Sequence, residues 1–190
     1  EYTARMVAAH YDLVDIAETL LTNGADPNIE YGGRLKVTAL AVAASHGHKE
    51  VFAILADNGA DITEAFHLAV SKGYADIVAD LLDRGVNIND QEKGGYDKMT
   101  ALMTAAKLGH KEVFDLLLEK GANMNLQCNE GNTALDYSLS NVYPGSVKTY
   151  SYFMTLLEHG ADVGVKNSEG KTILQTLDCS EGCEKYYQAL

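Results

Sequence analysis

Residues 100–121 read TALMTAAKLGHKEVFDLLLEKG, and residues 38–59 read TALAVAASHGHKEVFAILADNG. The two stretches keep Thr, Ala, Leu, an Ala pair, Gly-His-Lys-Glu-Val-Phe and a closing Gly at the same offsets. Self-similarity of this kind marks a stack of repeats, in which each unit buries its apolar face against its neighbours. A stack presents an extended surface, and such surfaces hold other macromolecules.

Working outward, the closing glycines are Gly24, Gly59, Gly85, Gly121 and Gly160. The first four lie 21 residues after Thr3, Thr38, Glu64 and Thr100. In the fifth unit Gly160 lies 27 residues after Thr133, so six residues are inserted, Asn141 to Ser146. Thr172 opens a tail without a closing Gly. The expected organisation is one repeat domain over residues 1–190, with units 3–37, 38–63, 64–99, 100–132 and 133–171 and a cap over 172–190. Tyr186 and Tyr187 are expected to cover the end of the stack. The chain starts at Glu1, already inside a repeat, as a segment of a longer protein would.

Each unit reads as two short antiparallel helices. Thr38, Thr100, Thr133 and Thr172 stand where a hydroxyl caps a first helix. Leu40 and Leu102 point inward, and the pairs Ala43-Ala44 and Ala105-Ala106 allow first helices to approach closely. Gly47, Gly73 and Gly109 end the first helix in the left-handed region. Glu50, Asp76 and Glu112 favour the first turn of the second helix. Val51-Phe52…Leu55, Ile77-Val78…Leu81-Leu82 and Val113-Phe114…Leu117-Leu118 form its apolar stripe.

GHKEVF, LLLEKGANMN and NEGNTALD together resemble the ankyrin repeat, a unit of about 33 residues with a turn and two helices. The resemblance covers nearly the whole chain. It implies an all-α repeat solenoid of about five ankyrin repeats, helix-turn-helix plus β-hairpin fingers, with a C-terminal capping unit. The family's Thr-Pro-Leu-His start is Thr-Ala-Leu here, with Ala41, Met103, Asp136 and Gln175 in the His place. Only His67 keeps that His, behind Glu64. These departures imply a lost preset turn and lost polar ties between turns.

The connections differ. Gly121 to Thr133 and Gly160 to Thr172 are 12 residues each, with turn glycines at Gly131 and Gly170. Gly24 to Thr38 is 14, Gly85 to Thr100 is 15, and Gly59 to Glu64 only 5. The long pair also match, EYGGRLKVTAL at 30–40 and EKGGYDKMTAL at 92–102, each with Gly-Gly at the tip. Two long fingers with a missing finger between them are therefore expected, and no hairpin over residues 60–66. The inserted Pro144-Gly145 marks a surface loop.

Composition excludes several functions. The net charge is −12, and acids exceed bases by nine to four in residues 1–62, ten to seven in 63–125 and eight to four in 126–190. No basic cluster exists to neutralise phosphates, so nucleic acid is not the expected partner. No apolar run reaches the roughly 18 residues of a membrane span. Three cysteines at no framework spacing point to reduced thiols in a cytosol-like compartment. The expected localisation is cytoplasmic, or host cytosol for a secreted effector. Cys179 and Cys183 lack a second clustered pair for a tetrahedral zinc site. No phosphate loop, Gly-x-Ser-x-Gly or His-Glu-x-x-His occurs. Asp12 with Asp15, and Asp76 with Asp80 and Asp83, read as a solvated outer face. His48 and His110 read as structural, His67 as a satisfied polar group, and His10 and His159 as isolated. No metal, cofactor or catalytic residue is expected.

In the resembled family the concave face is formed by finger tips and the exposed side of the first helices. Carried over by position, this implies partner contacts at Tyr31, Arg34 and Lys36 on the first long finger, His46 on the following helix, and Ser71 and Lys72 on the next. Tyr96, Asp97 and Lys98 lie on the second long finger, followed by Lys107 and Leu108. Asn129, Glu130 and Asn132 lie on the third finger, and Tyr143 on the inserted loop. Lys72, Lys98 and Lys107 are expected to make a mildly basic stripe suited to an acidic or mixed-charge peptide. The implied function is a monomeric, non-catalytic scaffold that binds a protein or peptide. The alternative is a recognition segment of a larger enzyme or of a secreted bacterial effector.

Overall fold

The computed structural model describes residues 3–32, 37–92, 96–140 and 147–176, and of residues 140 and 147–150 the backbone alone. Eleven helices occur among them. They fall into two compact units, residues 1–87 and 88–190. The first holds α1 (Ala4–His10), α2 (Val14–Thr22), α3 (Ala39–His46), α4 (Lys49–Asp57), α5 (Ala65–Lys72) and α6 (Ala75–Asp83). The second holds α7 (Ala101–Leu108), α8 (Lys111–Glu119), α9 (Ala134–Ser140), α10 (Val147–Glu158) and α11 (Ile173–Thr176).

First helices pack on first helices, α1 on α3 and α3 on α5 in one unit, α7 on α9 in the other. The buried alanine pairs Ala8-Ala9, Ala43-Ala44 and Ala105-Ala106 permit this close approach. Leu40, Phe66, Leu102 and Leu135 hold one repeating core position, and Phe52, Val78, Phe114 and Phe153 another. Each such side chain stabilises its unit by roughly 1.5–3 kcal/mol. Leu82 and Leu118, at the edge of the predicted stripe, are only half-buried.

Helix starts follow the sequence in part. Thr3, Thr38 and Thr100 each accept from the backbone N–H three residues on, Met6 at 3.3 Å, Ala41 at 3.1 Å and Met103 at 3.3 Å. At Thr133 the residue three positions on reaches back to the cap. Its N–H and hydroxyl both donate to Asp136 Oδ2 at 2.8 Å, and the Thr172 N–H donates to Gln175 Oε1 at 3.0 Å. So the polar tie expected to vanish with the missing His is supplied by the residue that replaces it. Glu64 offers no side-chain cap, and Ala65 N–H bonds Ile62 C=O at 3.3 Å instead.

Gly47, Gly73 and Gly109 close α3, α5 and α7 at positive φ, as read from the sequence. At Gly47 the requirement is double, because the Tyr74 ring lies 2.6 Å from where a Cβ would stand. Asp12 takes the equivalent place in the first repeat at φ 55°, a region Asp tolerates better than most residues. On the outer side, Arg84 bonds Asp80 Oδ2 at 2.6 Å and Asp57 Oδ1 at 2.8 Å, tying α6 to the end of α4. The predicted acidic face is thus partly an ion-pair network.

The fingers are narrower than hairpins. Single bridges close them, Tyr31 to Val37, Gln91 to Thr100 and Lys166 to Thr172. Gly32, Gly131 and Gly170 have positive φ, as their turns demand. Among the described residues no bridge occurs over 60–66, where Asp61 Oδ1 folds the short connection by accepting from Thr63 N–H (3.0 Å) and hydroxyl (2.8 Å). A ladder along the loops went unread in the sequence. Asn28 Oδ1 accepts from Asp61 N–H at 2.7 Å, Asn89 Oδ1 from Asn123 N–H at 2.8 Å, and Asn125 Oδ1 from Asp162 N–H at 2.9 Å. Its signal is the column shared by GADPN, GVNIN and GANMN. The inserted loop 141–146 and the cap residues 177–190, with Cys179, Cys183, Tyr186 and Tyr187, lie outside the described residues.

Candidate protein-binding surface

In the second unit the fingers are laced to one another. Asn129 N–H bonds Asp97 C=O at 2.9 Å, and Asn129 Nδ2 bonds Tyr96 C=O at 2.6 Å. Ser168 N–H bonds Glu130 C=O at 2.8 Å. Gln91 Nε2 donates to Gln127 C=O (2.9 Å), and Gln127 Nε2 to Gly131 C=O (2.7 Å) and Lys166 C=O (2.8 Å). Neighbouring tips are therefore fixed before any ligand arrives, which lowers the ordering cost of binding.

Tyr96 stands at the tip of the second finger, 99% exposed. The adjoining turn includes Lys98 at φ 48°, a strained value for Lys that the Asn129 bonds help to hold. Leu108 is 45% exposed at the end of α7. Asn129 and Glu130 are exposed, and Asn132 Nδ2 donates to Glu130 Oε2 at 3.2 Å. Lys107 departs from the expected solvent-facing stripe. Its ammonium lies 5.1 Å from the centroid of the Tyr137 ring and 3.9 Å from Met99 Sδ, so its charge is partly turned inward. Tyr137 is buried, and its hydroxyl lies 3.4 Å from the free thiol of Cys128. Burial first, then that thiol, pushes the phenol well above the ordinary tyrosine range and keeps it neutral. Sequence reasoning passed over Tyr137 and Gln127, whose roles appear only when fingers meet.

In the first unit Tyr31 is 41% exposed, with its backbone spent on Val37 at 2.9 Å in both directions. Lys72 is exposed at the end of α5. Ser71 is a poorer candidate than expected, since its hydroxyl bonds Leu68 C=O at 2.8 Å. His46 is exposed, and it is not alone. The His10 ring meets it edge-on at 4.5 Å and His48 stacks on it at 5.7 Å. The predicted isolation of His10 is thus corrected: packing of α1 on α3 brings together histidines 36 residues apart. His67 packs edge-on to Phe66 at 5.5 Å. Arg34, Lys36 and Tyr143 lie outside the described residues. No group of three metal-binding side chains converges among the described residues.

Paired helices in register, alternating with laced loop tips, define a helical repeat protein of the interaction-scaffold class. The chain belongs to the ankyrin repeat family: a family model for ankyrin repeats in three copies matches residues 1–65 and 66–167. It is 36% identical over 182 residues to an ankyrin repeat protein of Fowlpox virus (strain NVSL), covering 95% of this chain and 44% of that one. An ankyrin repeat protein of Rickettsia felis is 34% identical over 91 residues, 47% of this chain and 40% of its own length. The chain thus spans less than half the length of these curated relatives. Among solved structures, the ankyrin repeat domain of Bcl-3, a member of the IkappaB protein family, aligns with a TM-score of 0.76 at 27% identity, covering 90% of this chain and 75% of that one. The ankyrin repeat protein EF0377 has the same fold, with a TM-score of 0.76 at 24% identity and coverage of 100% and 96%. Ankyrin repeats are in general non-catalytic and mediate protein–protein interaction. Among the described residues no helix is long and apolar enough to cross a membrane.

Proposed function

We propose that this chain is a non-catalytic scaffold that holds a protein or peptide on its finger tips and on the exposed ends of its first helices, the concave face of the family. The observation that carries the proposal is Tyr96, an aromatic ring 99% exposed on a backbone clamped at 2.6 Å by Asn129. A large exposed ring on an ordered tip has little reason in folding, and Tyr is enriched where interfaces concentrate their energy. Tyr31 offers a second, smaller anchor in the first unit. The compartment proposed with this function is the cytoplasm, and the unpaired Cys128 is in keeping with it.

A second role is supported by a specific observation. The relatives named above come from Fowlpox virus and Rickettsia felis, and the chain spans under half of each. In that role the repeats would recognise a host protein on behalf of a larger protein or effector.

The test is capture of partners from a cytosolic lysate by immobilised chain. Tyr31→Ala combined with Tyr96→Ala is expected to lower recovery of a specific partner by about tenfold or more, as loss of an interface anchor does, with an unchanged melting temperature. Equal recovery by the double variant would remove the fingers from the interface.

A further inference from the structure

The histidine cluster of the first unit has a hydrogen-bond pattern that fixes what its rings do on protonation. A carbonyl oxygen only accepts, so His46 Nδ1, 2.9 Å from Val42 C=O, carries hydrogen, as does His48 Nε2, 3.1 Å from His10 C=O. Ser45 Oγ, 3.0 Å away, is a second acceptor for His46 Nδ1. In the neutral rings His46 Nε2 and His48 Nδ1 are therefore lone-pair nitrogens. His48 Nδ1 faces Asp12 Oδ2 at 3.8 Å, so a proton taken there is neutralised within the chain. His10 and His46 are different. Both are exposed, their ring centroids are 4.5 Å apart, and neither makes an ion pair among the described contacts. Charging both sets two cations side by side, which an external anion relieves.

The groups on the surrounding elements set the sign. From α1 and the turn after it come His10, Tyr11 (its ring 4.7 Å from His10) and Asp12, with Arg5 at the far end of α1. The first turn of α2 adds Asp15, the first turn of α4 Lys49 and Glu50, the end of α5 Lys72, and the start of α6 Tyr74. Each imidazole that takes a proton adds a positive charge to this part of a body of net charge −12.

We propose that His10 and His46, with Tyr11 beside them, form a carboxylate-binding site that fills when the imidazoles protonate, so that acidification tightens the grip on an acidic segment of the partner. The site rests on the scaffold reading above and adds the chemistry of the ligand and its control by pH. Proton and carboxylate bind together, because each offsets the other's charge.

The probe is fluorescein-labelled hexaglutamate, its binding followed by anisotropy at low salt. The expected affinity gain for the unaltered chain between about pH 7.5 and about pH 5.5 is tenfold or more. His10→Gln with His46→Gln is expected to abolish most of that gain, while His110→Gln, in the other unit, keeps it. A chain of charge −12 sheds negative charge on acidification anyway, so an equal gain in the double variant would assign the effect to the whole body and overturn the site. No gain in the unaltered chain would overturn it too. Should the double variant fail to fold by circular dichroism, His46→Gln alone decides, since that ring is exposed: at least half of the gain is expected to go, and its full retention overturns the site. Failure of the finger reading is separate. A chain that keeps the pH gain, yet captures its partner unchanged after Tyr31→Ala and Tyr96→Ala, retains this site and loses the fingers.

Discussion

Replacing Gly131 with alanine is expected to lower the unfolding free energy of the second unit by about 3 kcal/mol or more, measured by denaturant titration followed by circular dichroism. Gly131 has φ 76°, which alone costs a substituted residue about 1–2 kcal/mol. The larger cost is steric. A Cβ there would stand 2.7 Å from Ser168 N and 2.8 Å from Asn167 Cα and C, all backbone atoms that cannot rotate aside. Relief requires the third and fourth fingers to part, which breaks the Ser168–Glu130 bond and strains the Gln127–Gly131 bond. Gly170→Ala is the control. It shares a φ of 75° but meets nothing within 4 Å, so about 1–2 kcal/mol of strain is the whole effect. Equal losses at the two glycines would show that the fingers are not packed as described.

Phe114→Ala is expected to cost about 3–5 kcal/mol, the range for emptying a filled aromatic site. Phe114 is fully buried in α8 and meets the Tyr152 ring of α10 edge-on, with centroids 4.7 Å apart. Truncation removes both the transfer energy and the aromatic contact. Burial holds the Tyr152 phenol above the ordinary tyrosine range. A loss under about 1 kcal/mol, in the range of a surface substitution, would mean that α10 does not close over α8.

The repeat was legible because its buried positions recur. Leu40, Phe66, Leu102 and Leu135 form one column in the aligned sequence, and a column of large apolar side chains has a single physical use. The glycine that ends a first helix is legible for the same reason, and Asp12 shows that the column tolerates the next-best residue for a positive φ. The bonds that the Thr133 N–H and hydroxyl give to Asp136 went unread, because Asp136 stands in the sequence only as the residue that replaces the family's His. The Ser71 hydroxyl bonds the Leu68 carbonyl as Ser45, at the same repeat position, bonds that of Val42, a contact the sequence reading passed over. His10 and His46 were read apart because their contact belongs to neighbouring repeats and not to one segment. The Asn28, Asn89 and Asn125 ladder was legible in principle, from a loop column that holds Asn in three of its five units. Of the proposed surface, the exposed tyrosines were visible in the sequence. The clamp that orders Tyr96 was not, because Asn129 is one polar loop residue among many until the fingers are set side by side.

The most direct test of the proposed surface is the hydrogen-exchange footprint of the captured partner on the chain. Protection on binding is predicted at the tips and helix ends, around Tyr31 and His46 in the first unit and around Tyr96, Leu108 and Asn129 in the second. Protection confined to the outer helices, around Asp80 and Arg84 or around Lys111 and Asp115, with the tips exchanging as in the free chain, would contradict it.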